Sequence, residues 1–373
     1  MLRWTTGLAA AAAALLGLGC AASAGTASRT VPQGFIGVDA DGPAVDGTVP
    51  LDGEIARMAR SGVETLGVSF DWARAQPDEG APIDYSVTDR IVAAAAAKRL
   101  RVFPVVIQAP RWARLHPAEQ FSPPQSPDDY AAYAAGLVKR YGPGGSFWTE
   151  HPELPALPIH DWQVWNEPAG ADKDDRGSVF WVDPGQAFTT RYIALLRATR
   201  KAIKAADPTA RVVLAGLVGQ SWQTLRLIYN AGGRPLFDAV SLHPYTLKVP
   251  NVVRIVRYVR ALMNKRGDKR KPILVTEIAW PAFDAPSVRK AGRARTQRFQ
   301  SDWLRAAFDA LTSRRRELNI QRVLWYSWMT RDTSRTYAFD YTGLVRLESG
   351  NRVVSKPALQ SFATVALHYE GRS

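Results

Sequence analysis

The chain has 373 residues, enough for one large domain or two ordinary ones. Apolar residues make up 46% and charged residues 22%, a globular composition that excludes a disordered chain, and the single cysteine, Cys20, excludes a disulfide framework or a cysteine-built zinc site. The net charge is +14, from 48 Lys+Arg against 34 Asp+Glu, and the five histidines (116, 151, 160, 243 and 368) show no metal-ligand spacing.

The N-terminus reads as an export signal. Met1-Leu2-Arg3 is a short basic start, and residues 8–18 form an Ala/Leu/Gly run too short to span a bilayer. Ala22-Ser23-Ala24 is a small-x-small cleavage site. This predicts a signal peptide over 1–24 and an exported, cysteine-free domain over 25–373. A second reading stays open: Leu16-Gly17-Leu18-Gly19-Cys20 resembles a bacterial lipobox, which would anchor Cys20 by lipid at the cell envelope. A third is an uncleaved anchor.

Downstream, eight short apolar runs predict strands at 34–39, 65–70, 102–108, 161–165, 211–216, 239–242, 273–276 and 323–327. Their continuous apolar character suits strands buried on both faces, as in a parallel sheet. Helices are expected between them. Residues 52–61 end at Gly62, and 88–100 are Ala-rich. Ser126-Pro127-Asp128-Asp129 supplies an N-cap, a first-turn proline and two acids, with Gly142 closing that helix. Asp183-Pro184 is expected to open a helix running to about Ala206. Residues from Pro286 to about Glu317 carry one or two helices, and Lys356-Pro357 begins the last. Eight such units predict a single-domain α/β fold, a (β/α)8 TIM barrel with elaborated loops. An open doubly wound sheet would favour a glycine-rich turn after the first strand, where Ala40-Asp41-Gly42-Pro43 stands instead.

In such a barrel the active site lies at the C-terminal ends of the strands. Strand four is followed by Trp165-Asn166-Glu167-Pro168, and strand seven by Thr276-Glu277-Ile278-Ala279-Trp280-Pro281. Two glutamates thus end strands four and seven. A facing carboxylate pair is what glycoside hydrolysis requires: one protonates the leaving oxygen, and the other attacks the anomeric carbon or activates water.

On these residues the sequence resembles the clan A glycoside hydrolases, which carry Asn-Glu after strand four and Glu after strand seven. Within the clan it looks closest to family 39 and then family 5 enzymes. The resemblance covers the whole of 25–373. It implies a retaining mechanism, with Glu167 as acid/base, Glu277 as nucleophile and Asn166 on the sugar 2-hydroxyl. His243-Pro244-Tyr245 looks like the clan's His-x-Tyr, whose tyrosine hydrogen-bonds the nucleophile. Trp328 looks like the tryptophan that floors the sugar subsite. The segment from Trp72 through Gln76-Pro77 to Asp84-Tyr85 looks like the clan's loop after strand two, and Gly343-Leu344 with Lys356-Pro357-Ala358 like its closing segment. Two features depart from the pattern. Gly67 stands where the clan usually has a strand-two arginine that keeps the nucleophile ionised, with Arg74 a candidate substitute. The β-sandwich that many family 39 members append is expected to be absent or rudimentary.

Further substrate-binding candidates are Trp280, Trp72, Trp112 and Asp71, each beside a strand end, and 12 tryptophans in all suit a sugar-binding protein. The alternative uses are a buried core for the aromatics and a loop-holding role for His243. No cofactor and no metal are expected. The expected partner is a β-linked oligo- or polysaccharide. Rival readings are a catalytically silent carbohydrate-binding barrel and a transglycosylase. The basic surplus concentrates at Arg254, Arg257 and Arg260, Lys265-Arg266, Lys269-Arg270-Lys271 and Arg314-Arg315-Arg316. It reads either as a solvated surface or as affinity for an anionic polymer or envelope. No motif for nucleic acid or for an obligate protein partner appears.

Overall fold

In a computed structural model, which describes residues 28–169, 178–283, 296–334 and 337–372, eight strands occur where the apolar runs place them. They are β1 (Ile36–Asp39), β2 (Thr65–Asp71), β3 (Arg101–Ile107), β4 (Asp161–Val164), β5 (Arg211–Leu214), β6 (Val240–His243), β7 (Ile273–Ile278) and β8 (Ile320–Tyr326). From β1 to β5 and from β6 to β8, neighbours in sequence pair in parallel. β8 returns to pair with β1, Ile36 opposite Val323. The ring closes between β5 and β6 through a bridge from Val213 to Ala239 and through a two-residue continuation of β5, Leu217–Val218, paired with Leu242 and His243. The fold is the expected (β/α)8 barrel. The signal segment, its cleavage site and Cys20 lie outside the described residues.

Each strand is followed by a helix: α1 (Leu51–Arg60), α2 (Ser86–Ala97), α3 (Pro127–Tyr141), α4 (Phe188–Ala206), α5 (Ser221–Asn230), α6 (Val249–Lys265), α7 (Gln297–Ser313) and α8 (Pro357–Glu370). The end signals act as expected at α3, where Ser126 Oγ accepts the Asp129 N–H at 3.3 Å and Gly142 ends the helix. They fail at Asp183-Pro184. The Asp183 carboxylate is engaged by His116 Nε2 at 3.2 Å and Arg191 Nε at 2.9 Å, and α4 starts only at Phe188. α7 begins at Gln297, capped by the Thr296 hydroxyl; the first part of the helical stretch expected from Pro286 lies outside the described residues. Beyond β8 a small sheet forms from β9 (Met329–Thr330), β10 (Val345–Leu347) and β11 (Val353–Ser355). No helix among the described residues is long and apolar enough to cross a membrane.

The barrel interior is layered. At one end Asp161 takes Arg211 Nε at 2.5 Å and Arg322 Nη1 at 3.1 Å. Above them Phe103, Val213, Ala239, Leu274 and Leu324 form a small apolar cluster of their own. Gly37 makes room for it: a Cβ there would stand 2.6 Å from Leu324 Cδ2 and 2.1 Å from the Thr65 carbonyl oxygen. The polar layer above holds the site.

The structure breaks up the basic face expected on α6. Arg260 is buried, and its guanidinium donates to the carbonyls of Leu318, Lys269 and Lys271. Lys271 pairs with Asp268 at 3.0 Å, and Arg257 with Glu317 at 3.6 Å. Arg315 donates to the Thr30 carbonyl. Much of that charge serves the fold.

Candidate active site

Glu167 is presented by a turn in an uncommon conformation. After β4 the backbone takes left-handed angles at Trp165 (φ 68°) and Glu167 (φ 38°). Such angles cost energy for non-glycine residues and persist only where neighbours enforce them. Here the Trp165 N–H donates to the Val106 carbonyl at 3.0 Å, and its indole N–H to the Phe180 carbonyl at 2.5 Å. Gln163, inside the barrel, donates to both the Trp165 carbonyl and Asn166 Oδ1 at 3.1 Å, which fixes the Asn-Glu pair.

Across the mouth, Glu277 ends β7, and His243 at the end of β6 stands between the two glutamates. His243 Nδ1 lies 2.6 Å from Glu167 Oε1. Its Nε2 lies 3.1 Å from the Thr276 hydroxyl and 3.3 Å from Glu277 Oε1. The imidazole fits because residue 216 is glycine: a Cβ there would be 2.1 Å from His243 Nε2. Tyr245 donates its hydroxyl to Glu277 Oε2 at 2.5 Å. Within the Glu167–His243–Glu277 group, a carboxylate oxygen from each glutamate lies within 4.8 Å of the other. That spacing would also suit a metal ion, but both ring nitrogens of His243 already face hydrogen-bonding partners.

The electrostatics are one-sided. Burial, then the charge of Glu167, then those of Asp39 and Asp41 hold the Glu277 carboxyl well above the usual carboxylate range; the Tyr245 hydroxyl pulls it down. Asp39, at the end of β1, is pushed up by burial and by Asp41. Asp41 is raised by burial, against hydrogen bonds from the Ser69 hydroxyl at 2.6 Å and N–H at 2.8 Å. The charges acting most strongly on Glu277 are all negative. Arg74 is exposed and lines a neighbouring cavity, so it does not replace the missing strand-two arginine. The space beside Gly67 is taken: a Cβ there would meet Leu324 at 3.0 Å and Asp39 Oδ2 at 3.4 Å.

The glutamates open into a cavity of about 320 Å³. Of the residues singled out in the sequence, Asp71, Asn166, Glu167, Tyr245 and Glu277 line it, and His243 lies buried behind them. The tryptophans do not line it. Trp328 is buried, its indole N–H donating to Glu54 Oε2 at 2.9 Å. Trp280 is buried against Trp303 and Trp325 and donates to the Thr246 carbonyl at 2.7 Å. Trp72 is buried, stacked on Tyr133, and donates to Gln76 Oε1; Trp112, half-buried, donates to the Gln76 carbonyl. The aromatic walls are instead Phe121, Phe180, Tyr326, Tyr337 and Phe339. Asp41 and Tyr326 were missed, although Tyr326 ends a strand and Asp41 lies two residues beyond one, the signal that identified the glutamates.

No family model and no curated protein sequence matches the chain. Solved structures do. A family 39 glycoside hydrolase from the gut symbiont Bacteroides cellulosilyticus WH2 superposes with a TM-score of 0.67 at 19% identity, over 91% of this chain and 64% of that one. This chain thus spans just under two thirds of that protein's length. A GH5_18 protein from Bifidobacterium longum subsp. infantis gives 0.61 at 15% identity, over 90% and 79%. A GH39 beta-xylosidase from Caulobacter crescentus gives 0.60 at 17% identity, over 90% and 72%. The likeness is one of fold, a barrel that these glycoside hydrolases share.

Proposed function

We propose that the chain is a retaining glycoside hydrolase acting on β-linked oligo- or polysaccharide, with Glu277 as nucleophile and Glu167 as acid/base. The observation that carries the reading is the pair itself: two carboxylates at the ends of β4 and β7, oxygens within 4.8 Å, facing one cavity. Retaining enzymes hold their carboxyls about 5–5.5 Å apart and inverting ones about 6.5–9.5 Å, so the short spacing favours attack by carboxylate over attack by an interposed water. Glu277 attacks the anomeric carbon as Glu167 protonates the leaving oxygen, giving a glycosyl-enzyme ester. Glu167, now a carboxylate, then takes a proton from water, which displaces Glu277. Tyr245 orients the nucleophile, and His243 orients the acid.

The raised pKa of Glu277 bears on the roles. The free protein keeps a proton on this buried carboxyl more readily than an ordinary glutamate does. The active ionisation state therefore requires that proton to leave, and Tyr245 favours this.

A silent carbohydrate-binding barrel is the rival, favoured because the charges that act most strongly on Glu277 among the described residues are all negative. Turnover decides between them. Wild-type chain on a panel of aryl glycosides and β-glycans releases product, and Glu277→Ala abolishes it. Binding of one glycan with no turnover of any overturns the enzyme reading. Transglycosylation shares the first half-step and is told apart by transfer of the glycosyl group to a sugar acceptor. We further propose export through residues 1–24. An N-terminus at Gly25 supports soluble secretion, and a lipidated Cys20 supports an envelope anchor; both are read by mass spectrometry.

A further inference from the structure

Beside the catalytic cavity lies a second one of about 440 Å³, above the ends of β1 and β2 and against α2. The two share Asp41, Ser69 and Asp71. Its inner face is apolar, built by Val45, Val68, Ala75, Val87 and Ile91, which suits the carbon face of a pyranose ring. Polar groups border that face, among them Asp41, Asp46, Asp71 and Asp84, with Arg74 the one cation among the described lining residues. Together with Glu167 and Glu277, the described lining residues of the two cavities present six carboxylates to one cation.

Chain composition does not produce this pattern, since basic residues outnumber acidic ones 48 to 34. Among the described residues that line the cleft, the balance of charge is reversed. A cleft lined by one sign focuses its field on the ligand. Sugar hydroxyls can donate to these carboxylates but leave the excess charge in place; an ammonium removes it. Burial pushes the carboxyls of Asp41 and Asp71 up; hydrogen bonds from Ser69 oppose this at Asp41, and backbone N–H groups with the charges of Arg74 and Arg114 oppose it at Asp71.

We propose that the second cavity is a sugar subsite whose occupant carries a protonated amine, so that the substrate is a glycan containing unsubstituted hexosamine units. The proposal rests on the glycosidase reading for the use of the cleft. Asp41 and Asp71, which face both cavities, are its specificity-determining residues.

The test reads binding, so that an unsuitable linkage or a failure of turnover does not hide the result. Full chain carrying Glu277→Gln is titrated with a fully deacetylated β-1,4-glucosamine hexamer and with its fully N-acetylated counterpart, below the pKa of the amine. The deacetylated probe binds at least about tenfold tighter. The preference collapses in about 0.5 M salt and in Asp41→Asn and Asp71→Asn, the asparagine at 41 keeping an acceptor for Ser69. Asp84→Asn, at an exposed position, gives a smaller loss and serves if Asp41→Asn fails to fold. Equal affinity for the two probes, or a preference that survives in all the aspartate variants, overturns the proposal. Turnover of neutral aryl glycosides by wild type is measured separately. Its absence counts against the glycosidase reading, whereas the binding preference is read without it.

Discussion

Tyr245 Oη lies 2.5 Å from Glu277 Oε2, and its hydrogen bond favours the ionised carboxylate against burial and three neighbouring acids. Removing it leaves the charged form poorer by one hydrogen bond. Tyr245→Phe is therefore expected to raise the Glu277 pKa and move the acidic limb of the kcat/KM profile to higher pH. A hydrogen bond to a charged group contributes about 1.5–3 kcal/mol, so kcat/KM falls about 10–100-fold at its optimum. A pH–rate profile of the variant checks both; an unmoved limb would assign that limb to another group.

Asp39→Asn acts in the opposite direction. Asp39 raises the Glu277 pKa by its charge, so the neutral variant moves the acidic limb to lower pH. It also changes stability. Asp39 has a folded-state pKa raised by burial, so the folded chain binds its proton more tightly than the unfolded chain. Stability is then lost as pH rises from the ordinary aspartate value of about 3.9 toward the raised one. Asparagine does not titrate. The variant melts higher than wild type at neutral pH, and the difference shrinks below about pH 4. Melting curves across pH measure this.

Gly216→Ala tests whether the placement of His243 matters. The new Cβ would stand 2.1 Å from Nε2 of an imidazole wedged between Glu167 and Thr276. We expect kcat to fall about 100-fold or more, within the range for losing aligned acid–base groups. Because the alanine acts through His243, Gly216→Ala combined with His243→Ala should be no worse than His243→Ala alone. Additive losses would place the damage elsewhere.

Azide separates the two glutamates by role. With a dinitrophenyl glycoside, whose leaving group needs no proton, Glu167→Ala completes the first step and stalls in the second. Azide then yields the glycosyl azide with retained configuration. With Glu277→Ala, azide attacks directly and gives the inverted product. Product stereochemistry by NMR is the readout, and an inverted azide from Glu167→Ala would exchange the assignments.

Trp328→Phe should be a stability variant. The indole donates to Glu54, itself buried, and lies outside the cavity that Glu167 and Glu277 line. Leaving that acceptor short of a donor costs about 1–3 kcal/mol. Denaturant unfolding should show the loss while KM stays unchanged; a raised KM would return Trp328 to the sugar site.

The residues that meet at the candidate site were legible because strand order and direction are written in the sequence. Eight apolar runs alternating with helices put every strand end at one mouth, so Asn166-Glu167, His243-Pro244-Tyr245 and Thr276-Glu277 converge there by ordinal position alone. Which aromatics line the cavity was not legible. Trp72, Trp280 and Trp328 have the right residue type and follow strands, yet each sends its indole N–H to a partner outside the cavity, while Tyr326, Tyr337 and Phe339 form the wall. Side-chain direction past a strand end depends on the loop, not on the strand's period. The ionisation of Glu277 was likewise a tertiary matter. Asp39 and Asp41 lie more than 230 positions before Glu277 in the chain, and only barrel closure, β8 against β1, brings them near enough in a buried layer to raise its pKa. Gly216 is decided the same way: in sequence it is an ordinary glycine after a strand, and in the barrel it is the space that the imidazole of His243 occupies.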